Sequence, residues 1–161
     1  MRMSDEPSVA VETLIKADGA RIYELVSDLA VMASFGTEFQ GGEWSSGRPG
    51  AVGSTFLGRQ RMGDLEWETT STVIAADPGK RFAWKVGDPD NHTAIWDLGL
   101  RSVPKGTEVT YSFVHGPGPS GLRTRIDANP DRESAVIESR LAMLQENMVK
   151  TLEGIRRRTA A

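Results

Sequence analysis

The last part of the chain carries the pattern that most restricts the fold. Ile137, Leu141, Leu144, Met148, Leu152 and Ile155 recur at steps of four, three, four, four and three, and Glu138, Arg140, Glu146, Lys150 and Glu153 fall between them. This spacing draws one apolar stripe along an amphipathic helix, expected over residues 131–158. Asn129 is placed to cap it and Pro130 to occupy its first position. A helix this long needs an equally long apolar surface on which to bury its stripe.

Residues 39–116 supply that surface. Their apolar positions repeat every second residue, and turn signals interrupt them at Gly47-Arg48-Pro49-Gly50, Gly63-Asp64, Asp77-Pro78-Gly79-Lys80, Asp88-Pro89-Asp90-Asn91 and Pro104-Lys105-Gly106. Strands joined by turns this short must be antiparallel neighbours, which makes the segment a meander of about six strands. Ser8–Ile15 is rich in β-formers and adds a seventh strand. Between it and the meander, Asp18 is a candidate N-cap before Ile22, Leu25, Val26 and Leu29, which share one helical face. A second short helix is expected near Val31–Phe35, stopped by Gly36. The Gly- and Pro-rich stretch 116–130 reads as a loop, and residues 1–7 as disordered. The whole, residues 1–161, reads as one α+β domain. Its antiparallel sheet of about seven strands curls round the C-terminal helix, and the concave side can hold space that side chains do not fill.

The order of elements resembles the START-like helix-grip (SRPBCC) superfamily, and within it the polyketide cyclase/dehydrase-like branch. The matching residues span nearly the whole chain. They are Asp18 opening a helix that ends near Ser27-Asp28, the strand Gly53-Ser54-Thr55-Phe56-Leu57-Gly58-Arg59-Gln60-Arg61, and Trp67 followed by Val73. Further on come Asp77-Pro78-Gly79-Lys80-Arg81-Phe82-Ala83-Trp84, then Trp96, then Gly106-Thr107-Glu108-Val109-Thr110. The resemblance implies a cavity for a hydrophobic small molecule. It does not choose among aromatic polyketide cyclases, lipid and hormone binders, co-chaperone-like interaction domains, and proteins of enediyne biosynthesis and self-protection.

Composition removes several other functions. With no cysteine, the chain has no disulfide, no thiolate metal site and no cysteine nucleophile. A net charge of -3 offers no basic field for a nucleic acid, and Arg156-Arg157-Arg158 sits where a helix C-terminus favours cations. Met1 to Ser8 has no apolar core, and no run is long enough to cross a bilayer, so neither a signal peptide nor membrane insertion is expected. The expectation is a cytoplasmic monomer or weak dimer. His92 and His115 lack metal-ligand spacing, and the Gly116–Gly121 stretch lacks the Gly-Lys-Ser/Thr ending of a phosphate loop. No cofactor or metal is therefore expected.

Alternation assigns the inward side chains. Phe56, Gly58, Gln60 and Met62 share a face, as do Trp67, Thr69, Ser71 and Val73, then Phe82, Trp84 and Val86. Ala94, Trp96, Leu98 and Leu100 follow, then Val109, Tyr111, Phe113 and His115. The candidate ligand wall is Trp44, Phe56, Gln60, Trp67, Thr69, Ser71, Phe82, Trp84, Trp96, Leu98 and Phe113, with Leu141, Leu144 and Met148 from the helix. Such a wall is aromatic with a few neutral polar groups, as a small-molecule pocket requires. The same aromatic residues can equally fill a core. If the chain is an enzyme, it is a polyketide cyclase or dehydratase, with His115 and Tyr111 as acid/base candidates and Gln60 as an oxyanion donor. The Gly116–Gly121 stretch is either a gate over the cavity or a plain connector.

Overall fold

A computed structural model describes residues 1–160. The strands are β1 (Ser8–Ile15), β2 (Phe39–Ser46), β3 (Thr55–Met62), β4 (Leu65–Asp77), β5 (Arg81–Asp88), β6 (Asn91–Val103) and β7 (Gly106–His115). They form one antiparallel sheet in the order β1-β7-β6-β5-β4-β3-β2. The meander runs from β2 to β7, and β1 returns to pair with β7, Ser8 opposite Val114 and Ile15 opposite Thr107. Register shifts at Phe39/Gly41 and Trp44/Ser46 in β2, Val73/Ala75 in β4 and Val86/Gly87 in β5 bend individual strands and increase their twist.

The helices are α1 (Gly19–Val26), α2 (Leu29–Ala33), α3 (Gly121–Ala128) and α4 (Glu133–Ala160). α4 lies against the sheet and buries Leu144, Met148, Leu152 and Ile155 in a core with Ile15, Ile22, Leu25, Val73, Phe82, Leu98 and Val109. The architecture is thus the α+β helix-grip arrangement.

The structure departs from the sequence reading at five places. The stretch 116–130 is not all loop, because Gly121–Ala128 is helical. Ser120 caps this helix by accepting a hydrogen bond from the Arg123 amide, and Leu122 and Ile126, four apart, bury its inner face. Glycine and proline density hid one apolar pair. Residues 1–7 are ordered: Met3–Asp5 form a 3-10 turn, the Met3 amide donates to the Glu133 carboxylate, and the Met3 side chain is buried with Leu122, Ile126 and Ile137. Leu29 opens α2 rather than extending α1, since the Asp28 carboxylate accepts from the amides of Ala30 and Val31 and starts a new helix there. Asp18 precedes α1, but its side chain makes no capping bond. Finally, Asn129 and Pro130 open a 3-10 turn, Pro130–Arg132, and α4 proper runs from Glu133 to Ala160 rather than over 131–158.

Candidate functional site

Between the sheet and α4 lies a cavity of about 100 Å³. Strand alternation builds its aromatic wall. Phe56 comes from β3, Phe82, Trp84 and Val86 from β5, Trp96 from β6, and Tyr111 from β7. Trp84 and Trp96 are cross-strand partners with ring centroids 6.2 Å apart and planes inclined by 21°. Trp96 in turn meets Tyr111 at 5.3 Å. Leu144, Met148 and Thr151 of α4 close the opposite side, with Val26 of α1 and Leu29 and Met32 of α2.

The polar groups cluster on β3 and β4. Gln60, Thr69 and Ser71 line the cavity, and all three are neutral donors and acceptors. Gly58 lies opposite Thr69 across the ladder. A Cβ at Gly58 would stand 3.2 Å from the Gln60 amide nitrogen, 3.3 Å from the Phe39 ring and 3.4 Å from the Thr69 hydroxyl. The missing side chain is what lets these three groups converge.

The remaining wall comes from the segment between α2 and β2, where Thr37, Glu38 and Phe39 line the cavity. Four ties hold residues 34–38 antiparallel along α4. Arg158 donates to the Ser34 hydroxyl at 3.0 Å, Phe35 packs over Gly154, Lys150 donates to the Gly36 carbonyl at 3.3 Å, and Glu38 pairs with Arg140. The last contact is bidentate, with Arg140 donating to both Glu38 oxygens at 2.6 and 2.7 Å, and the Asn147 amide donating to one of them at 3.2 Å. The pair is largely buried, with side chains 17% and 14% exposed. Glu38 is the only charged residue lining the cavity among the described residues.

Of the residues expected in the wall, Phe56, Gln60, Thr69, Ser71, Phe82, Trp84, Trp96, Leu144 and Met148 surround the cavity, and so does Tyr111. The others lie elsewhere. Leu98 is fully buried in the core, Phe113 packs edge-on against Trp96, and Leu141 bridges the main core and the cluster around Met3. Trp67 is half-buried on β4 beside Gln60 in the register, without lining the cavity. Trp44 stacks edge-on against Phe56, and its other surfaces line two open recesses near α1 and the β2–β3 loop.

His115 is also outside the cavity. It is 4% exposed, meets the Phe113 ring edge-to-face at 4.7 Å, and neither ring nitrogen has a hydrogen-bond partner among the described residues. Burial, reinforced by the charges of Arg140 and Arg123, lowers its pKa to about 4, so the imidazole is neutral near pH 7. Tyr111 is shifted the other way, because burial raises its phenol well above the ordinary value. It is therefore a hydrogen-bond donor or acid, not a phenolate base.

The Gly-rich stretch after β7 is fastened. The Gly116 and Gly118 amides donate to the Thr93 and His92 carbonyls at 2.8 Å, and the Thr93 hydroxyl donates to the Pro119 carbonyl at 2.8 Å. A Cβ at Gly118 would stand 2.1 Å from the Asn91 carbonyl oxygen, so glycine here serves close packing against β6. These ties fit the connector reading.

Residues 6–152 match the protein family described as "Polyketide cyclase / dehydrase and lipid transport". The chain belongs to this family. Among solved structures it is similar to the Polyketide_cyc-like protein Cgl2372 from Corynebacterium glutamicum, at 28% identity over 93% of this chain and 89% of that one, with a TM-score of 0.67. It is also similar to the di-domain ARO/CYC BexL from the BE-7585A biosynthetic pathway, at 18% identity over 96% of this chain and 50% of that one, with a TM-score of 0.74. A third match is major latex-like protein 151 from Panax ginseng, at 14% identity over 96% and 98% of the two chains, with a TM-score of 0.68. The last two matches share the fold. Among curated proteins, none matches the chain. No helix among the described residues is long and apolar enough to cross a membrane, and no cluster of three potential metal ligands occurs among them.

Proposed function

We propose that residues 1–161 act as one binding domain that carries, or protects its surroundings from, a hydrophobic aromatic or polyketide-type small molecule. The observation that carries this reading is the cavity itself, with stacked Trp84 and Trp96, Phe56 and Phe82 beside the neutral row of Gln60, Thr69 and Ser71 on one face of the sheet. Apolar walls supply affinity and a few placed polar groups supply orientation. The family's description is consistent with such a ligand.

A cyclase or dehydratase reading keeps Tyr111, whose protonated hydroxyl can polarise a ligand carbonyl from the cavity wall. It loses His115 as the base, since that imidazole has no face on the cavity. Binding is therefore the better supported activity. An interaction domain of co-chaperone type calls for a filled interior, and the cavity counts against it.

Titration followed at the four tryptophan indole N–H resonances tests the proposal, with each resonance assigned by a Trp→Phe variant. Single-ring and two-ring aromatic ketones, flavonoids and fatty acids form the panel. Saturable shifts confined to Trp84 and Trp96, with Trp67 still, are expected for one class. Shifts at no indole, or equal shifts at all of them, overturn the proposal.

A further inference from the structure

The cavity limits size and charge together. Its volume of about 100 Å³ is smaller than the roughly 150 Å³ apolar cavity that accepts benzene elsewhere. A single ring already requires the wall side chains to move apart. A larger fused system would need α4 to lift from the sheet against the ties to residues 34–38.

Charge is the sharper constraint. No lysine, arginine or histidine lines the cavity among the described residues, and its one carboxylate, Glu38, is occupied by Arg140 and Asn147. An anion entering here would lose its water and find no free cation, because the nearest one, Arg140, is already paired with Glu38. A cation would have to displace a bidentate arginine from Glu38. A neutral oxygen meets none of these costs. Carbonyl or hydroxyl oxygens can exchange hydrogen bonds with the Gln60 amide and the Thr69 and Ser71 hydroxyls.

We infer that the cavity takes an uncharged aromatic ketone or phenol of a single ring, and that Glu38 enforces this choice by holding Arg140 in a bidentate pair, so that the wall offers no unpaired charge of either sign to the interior. The inference rests on the cavity-binding proposal above. Arg140 lies against Met62 at the end of β3, with its guanidinium 3.5 Å from the sulfur, and does not itself line the cavity.

The test uses three single-ring probes of matched shape: 4-hydroxyacetophenone (neutral), 4-hydroxybenzoate (anionic) and 4-hydroxybenzylamine (cationic). Their Kd values are read from the Trp84 and Trp96 indole shifts at neutral pH. The ketone is expected to bind at least about tenfold more tightly than the benzoate. E38Q should narrow that ratio by at least about fivefold, mainly by tightening the benzoate, because Arg140 is then unpaired. Should E38Q fail to fold, Asn147→Asp adds charge to the same wall and is expected to widen the ratio. A benzoate or benzylamine that binds the wild-type chain as tightly as the ketone overturns the charge selection and leaves the cavity proposal standing. No shift with any probe overturns both.

Discussion

His115 shows how a single buried group ties the fold to pH. The folded imidazole has a pKa of about 4, against an ordinary 6.5 once the chain unfolds. Between those values the unfolded chain binds a proton that the folded chain refuses. Stability from this group is therefore complete above pH 6.5 and falls as the pH drops towards 4. The loss is expected to be on the order of 3 kcal/mol. Denaturant unfolding of wild type and His115→Phe from pH 7.5 to 4 isolates it, because the carboxylates titrate in both proteins. The difference between the two midpoints should change across that window. A constant difference would mean that the imidazole is paired or solvated. His115→Phe should also leave ligand affinity unchanged, since the residue does not line the cavity. At this scale the inner wall was readable in advance, because alternation on β3, β4 and β5 fixes which side chains share a face. Glu38 was not, because residues 34–38 have no period and its partner Arg140 looked like an ordinary polar position on an amphipathic helix.

The segment 34–38 and α4 form the element on which the site depends. A Cβ at Gly154 would stand 2.2 Å from the Phe35 ring, so the ring packs directly on the helix backbone. Two effects of Gly154→Ala compete. Alanine improves helix propensity by about 1 kcal/mol, while displacing Phe35 costs about 1–3 kcal/mol. We expect overpacking to win: the urea midpoint should fall, and amides of residues 36–39 should exchange faster with solvent. A higher midpoint with unchanged exchange would show that Phe35 has another place to go. α4 itself was legible because its apolar stripe persists over five turns. α3 was not, because only Leu122 and Ile126 mark it among glycine, proline and arginine. The short helix bounds moved for a similar reason, since Asp28 caps a new helix through a local bond that periodicity does not register.

For the molecule as a whole, the cavity is a stability cost. Ser71 is 1% exposed and lines the cavity. Ser71→Val would fill part of that space with methyl groups and is expected to raise stability by about 1 kcal/mol. The same variant should weaken binding of a single-ring ketone by at least about fivefold. Thermal unfolding and indole titration measure the two effects, and a drop in Tm would mean that the serine hydroxyl, not the empty space, dominates at this position. The arrangement of the sheet was legible from its short turns, but its closure, β1 returning to β7, follows only from the need to bury Ile15 and pair the last strand. The aromatic ladder across that sheet has an optical consequence. Trp44, Phe56, Trp84 and Trp96 stand at successive centroid distances of 5.3, 6.2 and 6.2 Å. At such separations excited indoles share their energy instead of emitting independently. The Trp84–Trp96 pair should give a split near-ultraviolet circular dichroism band, and light absorbed at half-buried Trp44 can be emitted from the cavity wall. The protein thus has a built-in gauge of whether its interior is occupied.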